Sequence, residues 1–534
     1  MNRRTLIRNA VLSAGAFGVG VSSAQNKQVP GRKQPLPPES NQAKEREQAQ
    51  ERGIPPSPHS SAVGAMPNIL WVCTDQQRFD TIQGLSNNVI HTPNLQRFME
   101  ESVTFTNTFV QTPICSPSRG SFLTGRYPHS TGLRANGSFI RPSELLVPRI
   151  LAENGYTCGL AGKLHLSPCA GGRLETEERI NDGYKLFEWS HDISNSWPGH
   201  NAWRVWLDKQ GVHLPEFPRQ TVWGMPIAPK FSQTAWCAEV AMQFMRERSG
   251  KGPWMMSVNI FQPHAPFFPT EEYLAHYDPA KMPNPAYHER ELENKTPFQQ
   301  VDHQGAYGGN ALSFAKTSPE EHRAITAAYY AMIEQADTAI GQMLQTLDET
   351  GQADNTIVIF MSDHGEMLGD HGIYFKGPYF YDCLTRVPLM IRWPHHFEGN
   401  RKIDALVEMV DLAPTLMEAA GIASPAGMQG QSLMPLLTGQ STTHRDSVYM
   451  EFFNSNFTYP LRPMITSVRT NRWKLNYCDH AQYGELYDLQ QDPGEFTNLW
   501  HDPHQKDTRE MMMQILMTRM IDTLDSLPQQ VAPW

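Results

Sequence analysis

Four apolar runs, each closing on a cluster of polar residues, set the pattern of this chain. Asn68-Ile69-Leu70-Trp71-Val72-Cys73-Thr74 ends in Asp75-Gln76, with Arg78 and Asp80 just beyond. Tyr156-Thr157-Cys158-Gly159-Leu160-Ala161-Gly162 ends in Lys163-Leu164-His165. Trp254-Met255-Met256-Ser257-Val258-Asn259-Ile260-Phe261 ends in Gln262-Pro263-His264, and Thr356-Ile357-Val358-Ile359-Phe360-Met361-Ser362 ends in Asp363-His364-Gly365-Glu366. Such runs predict strands buried on both faces of a parallel sheet. Open α/β sheets place their sites outside the carboxyl ends of the strands, so four such ends describe one crevice. Taken singly, each polar residue has a blander account as a helix cap, a surface ion pair or a core histidine.

Helical patterns alternate with these runs. The clearest opens at Ser318-Pro319-Glu320-Glu321, a capping box with Pro at the first helical position. It continues to Leu347 and is stopped by Gly351. The alternation predicts an α/β fold with a large, mostly parallel, helix-flanked sheet over residues 66–440. Beyond residue 441 the pattern changes to short runs with turn signals: 447–452, 464–469, 473–477 and 484–489. A Met-rich helical stretch follows at about 508–524. Residues 441–534 are therefore expected to form a smaller antiparallel α+β subdomain.

The N-terminus carries an address. Arg3-Arg4-Thr5-Leu6-Ile7-Arg8 precedes an apolar run from Ala10 to Val21 and the small residues Ser22-Ser23-Ala24. Residues 1–24 thus have the form of an export signal, and the paired arginines favour the twin-arginine route over the general one. An uncleaved membrane anchor is the alternative. Residues 25–65, rich in Gln, Lys, Glu, Pro and Ser, predict a disordered linker. The expected location is the periplasm or the exterior, with export machinery as a partner. A net charge of −10 gives no reason to expect a nucleic-acid partner. Seven scattered cysteines show neither metal-ribbon spacing nor a dense disulfide framework and allow one isolated disulfide.

The chemistry centres on Cys115-Ser116-Pro117-Ser118-Arg119, followed by Gly120-Ser121-Phe122-Leu123-Thr124-Gly125-Arg126. Pro117 and Ser118 suit the opening of a helix, which puts Cys115 at its positive end with Arg119 one turn away. That is an anion-binding corner; the bland alternative is a buried structural cysteine. The block resembles the sulfatase family of the alkaline-phosphatase-like superfamily, in which this cysteine is oxidised to formylglycine (3-oxoalanine). The resemblance runs from about residue 68 to 498. It includes His91-Thr92-Pro93-Asn94-Leu95, Arg386-Val387-Pro388-Leu389, Leu486-Tyr487-Asp488-Leu489 and Asp492-Pro493-Gly494-Glu495.

Asp75, Gln76, Asp363 and His364 offer oxygen donors and one imidazole, a set suited to Ca²⁺, Mg²⁺ or Mn²⁺. The resemblance implies that these residues and the modified Cys115 hold one divalent cation, Ca²⁺ before Mg²⁺ or Mn²⁺. Gln76 stands where many members have a second Asp. Residues matching Lys163, His165, His264 and Lys376 grip sulfate oxygens or move protons in the family. The implied reaction starts from hydrated formylglycine, activated by the cation and Arg119, which attacks sulfur in line. His264 or Lys376 protonates the departing alcohol, and His165 is the base that lets sulfate leave. A plain thiol lacks the second hydroxyl this requires, so a formylglycine-generating maturation enzyme is an implied partner. His371, inside the same motif, receives no role.

The resemblance implies a sulfatase acting on a sulfated glycan or small aryl sulfate. A phosphonate monoester or phosphodiester hydrolase with the same nucleophile and metal is the nearest alternative. A silent protein that binds sulfated glycans is a further one. Six of the twelve tryptophans fall between Trp189 and Trp236, interleaved with His191, His200, Asn201 and Arg204. They fit either sugar-stacking platforms or the core of an insertion, and burial of large aromatics favours the core.

Overall fold

Why the four apolar runs become neighbours is visible in the first of them. Strand β1 (Asn68–Asp75) is buried along its whole length. Successive side chains of a strand point to opposite faces. Ile69, Trp71 and Cys73 therefore join one core with Phe122 and Leu123, whereas Leu70 and Val72 join another with Trp236, Ala336, Ile340 and Met343. A strand with cores on both sides has no polar face to offer water, which accounts for its unbroken apolarity.

A computed structural model describes residues 66–169, 177–193, 201–453, 459, 461–479 and 483–527. The expected export signal and linker, residues 1–65, lie outside them, as do Trp197 and His200. The remaining strands of the large sheet are β2 (Val103–Phe105), β4 (Thr157–Gly162), β5 (Tyr184–Trp189), β6 (Trp254–Pro263), β7 (Thr356–Ser362), β8 (Leu389–Arg392) and β9 (Arg401–Ile403). Their order is β5-β4-β6-β1-β7-β8-β2-β9. The four expected strands are thus its contiguous middle, β4-β6-β1-β7, and all pair in parallel. Only β8 runs against its neighbours β7 and β2. Two short strands, β3 (Thr108–Phe109) and β10 (Val407–Glu408), form a separate pair.

The long helix Pro319–Glu349 opens on the expected capping box: Glu321 N donates to Ser318 Oγ at 3.2 Å, and Ser318 N to Glu321 Oε2 at 2.8 Å. Beyond residue 441 the expected antiparallel sheet is present as β11 (Val448–Phe453), β12 (Met464–Arg469), β13 (Trp473–Cys478) and β14 (Gly484–Asp488). The closing helix Lys506–Asp522 buries Met512 and Leu516 against it. A buried charge cluster ties this part to β10 and the turn that follows it. Arg519 pairs with Glu408 at 2.9 Å, and Arg445 pairs with Asp411 at 2.5 Å and with Glu408. Cys73, Cys115, Cys158, Cys169, Cys237 and Cys383 carry free thiols, so the isolated disulfide that the count allows is not formed. Among the described residues no helix is long and apolar enough to cross a membrane.

Of the insertion's tryptophans, Trp189, Trp203 and Trp236 are buried and Trp206 and Trp223 half-buried. They are core residues, not an exposed platform.

Gly162 closes β4 at φ 101°, and a Cβ there would strike the carbonyl oxygen of Asn259 on β6. Gly162→Ala is therefore expected to cost about 2 kcal/mol or more. The midpoint of urea denaturation reads that loss; an unchanged midpoint would contradict the close approach.

Candidate active site

The four central strands end together, and each delivers what its polar tail offered. Asp75 is the last residue of β1, Asp363 and His364 follow β7, Lys163 and His165 follow β4, and His264 follows β6. Asp75, Asp363, His364 and Arg119 are all at 0% exposure, and Lys163 and Cys115 at 1%. Charges this deep must be paired. Arg119 Nε donates to Asp363 Oδ2 at 2.9 Å and its Nη2 to Asp75 Oδ2 at 3.3 Å. Its Nη1 donates to the Lys163 carbonyl at 2.9 Å, and Lys163 Nζ reaches Asp75 Oδ2 at 2.5 Å.

Arg119 is placed by the helix Cys115–Thr124. That helix begins two residues before Pro117, so Cys115 itself is in the first turn and Pro117 follows in the same turn. Ser118 Oγ donates to the Asp363 carbonyl at 2.6 Å and locks the helix to the end of β7. Cys115 Sγ then lies 3.1 Å from His364 Nε2, 2.9 Å from Lys376 Nζ and 3.7 Å from Asp75 Oδ1. Burial alone would raise its thiol, but the Lys163 and Lys376 ammoniums hold it well below the usual range.

His364 Nδ1 lies 2.9 Å from the Gly365 carbonyl, to which it must donate, so its Nε2 lone pair faces the site. That Nε2 is 3.8 Å from Asp75 Oδ1 and 3.7 Å from Asp363 Oδ1. Asp75, Cys115, Asp363 and His364 each offer a ligand atom, all within 4.8 Å of one another. Gln76 Oε1 turns to the same space, receiving Lys376 Nζ at 2.7 Å. Two carboxylates, an amide oxygen and an oriented imidazole fit an oxygen-preferring divalent cation.

Lys376 also lies 2.9 Å from His264 Nε2. His264 Nδ1 donates to the Ala265 carbonyl at 2.6 Å, so Nε2 accepts from the ammonium. His165 sits at φ 62°; burial and then the Lys163 ammonium lower its pKa to about 4. The ring is therefore neutral at ordinary pH.

Two residues without a sequence signal support this geometry. Glu177 is buried and accepts His165 N at 2.6 Å, Ser167 N at 3.2 Å, Leu166 N and Trp189 Nε1 at 2.9 Å, fixing the loop that carries His165. Asn259 Nδ2 donates to the Lys163 carbonyl at 2.7 Å. His371 proves to be a clamp: its ring stacks on Tyr381 at 3.7 Å and pairs with Glu291 at 2.8 Å, outside the site. A second group, His165, Cys169 and His191, also brings ligand atoms within 4.8 Å. There the Asp192 N–H donates to His191 Nδ1 at 2.8 Å, leaving the proton of the neutral ring on Nε2 and no lone pair for a metal.

Comparison with known proteins finds matches over most of the chain. The family model described as Sulfatase matches residues 67–422, and one described as N-sulphoglucosamine sulphohydrolase, C-terminal, matches residues 369–522. A choline-sulfatase of Rhizobium meliloti (strain 1021) is 29% identical over 455 residues, spanning 82% of this chain and 83% of that protein. An N-acetylglucosamine-6-O-sulfatase of Bacteroides thetaiotaomicron is 24% identical over 519 residues, 87% of this chain and 88% of its own. Among solved structures, a phosphonate monoester hydrolase from Silicibacter pomeroyi superposes with a TM-score of 0.77 at 26% identity, over 88% of this chain and 98% of that one.

Arg119→Met would leave Asp75 and Asp363 buried without their shared guanidinium. The expected cost is about 3–5 kcal/mol in protein stripped with EDTA, read by urea denaturation. Excess divalent cation should recover part of the loss, because it compensates the same two charges. Equal stability of variant and parent would contradict the pairing.

Proposed function

The chain belongs to the sulfatase family, and from that premise we propose that it hydrolyses a sulfate ester to an alcohol and inorganic sulfate at Cys115. The observation that carries this is the convergence of Cys115 with a cation-type donor set and three buried cationic side chains, Arg119, Lys163 and Lys376. A focused positive site of this kind suits a small tetrahedral oxyanion.

The family uses a divalent metal and a formylglycine. Here the cation would be held by Asp75, Gln76, Asp363, His364 and the modified Cys115, and the oxygen-dominated donor set favours Ca²⁺ over the softer metals. Together the two groups supply Lewis-acid charge at the sulfate oxygens and a hydrated aldehyde with one hydroxyl to attack and one to eliminate through.

The chain's own side chains do the rest. Arg119 fixes both carboxylates and holds residue 115 at the head of its helix. Lys163 and Lys376 aim N–H donors into the space before Cys115 and bind sulfate oxygens. Lys376 shares its proton with His264 Nε2 at 2.9 Å, and this pair delivers a proton to the departing alcohol oxygen. His165, neutral through burial, accepts a proton from the residue 115 hydroxyl.

A sulfated carbohydrate is the proposed substrate, supported by the relative named N-acetylglucosamine-6-O-sulfatase. The twin-arginine-type N-terminus supports export to the periplasm or exterior, with maturation of Cys115 by a formylglycine-generating enzyme. The second reading, a phosphonate monoester hydrolase, draws on the Silicibacter pomeroyi structure. A silent glycan-binding role is disfavoured by the assembly of every proposed proton carrier around one cysteine.

Turnover of an aryl sulfate and of an aryl phosphonate monoester by fully modified enzyme separates the two hydrolases. We expect the larger kcat/KM for the sulfate; the reverse ranking would overturn the reading. Lys376→Ala should lower kcat/KM for the preferred ester by about 10²–10³-fold.

A further inference from the structure

Behind the cation-type site lies a buried carboxylate that none of these steps uses. Glu366 is at 0% exposure. Its Oε1 accepts Leu368 N at 2.9 Å and Phe375 N at 2.5 Å, and its Oε2 accepts the amide Nε2 of Gln76. On the other side, Gln76 Oε1 accepts from Lys376 Nζ at 2.7 Å. The two ends of an amide are interchangeable in shape, so only its partners decide which way it faces. An ammonium can only donate, and the amide's remaining end must then donate to Glu366. Both neighbours enforce the same orientation.

The Gln76 backbone is held as firmly. It sits at φ 70°, its N–H donates to Asp363 Oδ1 at 3.0 Å, and its carbonyl accepts from Tyr329 Oη at 2.6 Å. Its side chain therefore has one adjustable feature, the sense of its amide.

We propose that Glu366 is a positioning residue that locks the Gln76 amide with its oxygen toward the cation. A neutral Gln76 then serves as a ligand, and the negative charge its side chain lacks is supplied directly behind it. The inference rests on the reading of Asp75, Gln76, Asp363 and His364 as a cation site.

Glu366→Gln tests it. The new side chain can keep its Oε1 on the two backbone N–H groups, and its amide nitrogen then faces Gln76. Gln76 must turn over to accept, which presents its NH₂ to the cation. Loss of such outer support typically costs about 10–100-fold in metal affinity, and that range is expected here. The charge-swapped pair Gln76→Glu with Glu366→Gln keeps every hydrogen bond, with the carboxylate now as the ligand, and should bind at the parent's affinity.

The experiment titrates Ca²⁺ and, separately, Mn²⁺ into EDTA-stripped full-length protein by calorimetry, for parent, Glu366→Gln and the swapped pair. Melting temperatures without metal serve as the fold control. A weakened single variant with a restored pair supports the proposal. Parent-like affinity in Glu366→Gln overturns it, and so does a pair that stays as weak as the single variant. If the single variant does not fold, the pair alone decides: parent-like affinity supports the lock, and a tenfold or greater loss overturns it. A parent that binds neither ion overturns the cation reading itself, and the proposal with it.

Discussion

The burial of Asp75 and Asp363 at the ends of neighbouring strands is the constraint on which the rest of the site depends. Two carboxylates without access to water are tolerated only when opposite charge is placed against them with good geometry. Arg119 does this for both at once, at 3.3 and 2.9 Å, and Lys163 adds a second contact to Asp75 at 2.5 Å. Because Arg119 is rigidly forked, satisfying both carboxylates fixes the helix that carries it. Cys115, one turn earlier, is thereby fixed against His364 and Lys376. One compensation of charge thus ties helix, β1, β4 and β7 into a single arrangement, and the position of Cys115 is its consequence.

The same logic recurs at larger scale. The antiparallel sheet and the closing helix are joined to the β3–β10 pair and the turn after it through Glu408 and Asp411, compensated by Arg445 and Arg519. Tyr127, just beyond the Cys115 helix, donates to Glu408 at 2.6 Å, so the C-terminal part steadies the element that presents the cysteine.

Much of this was legible in the chain. Strands buried on both faces announce themselves as unbroken apolar runs, and β1, β4, β6 and β7 were recognisable for that reason, together with the polar ends that form the site. The Ser318–Glu321 cap was legible because its hydrogen bonds are local. What depends on distant partners was not. Glu177 supports the His165 loop from a stretch with no periodicity, and β3 and β10 are two residues each, too short for any pattern. His371 shares a motif with Asp363 and His364, yet its partners are Glu291 and Tyr381. Glu366, in the same motif, has its meaning only through Gln76, almost three hundred residues away. The helix at Cys115 began two residues earlier than Pro117 suggests, because Ser118 and Arg119, bound to Asp363, set its start.

The proposed reaction requires that Cys115 act as a formylglycine and not as a thiol. The most direct test is the mass of the peptide carrying Cys115, taken from active protein made in its natural host. The aldehyde form is lighter than the cysteine form by roughly one water; its hydrate regains that mass, and reaction with a hydrazine reagent, which traps the aldehyde in equilibrium with the hydrate, distinguishes both from the thiol. The aldehyde is expected, in an amount that tracks sulfatase activity. An active preparation in which every Cys115 is a free thiol would contradict it.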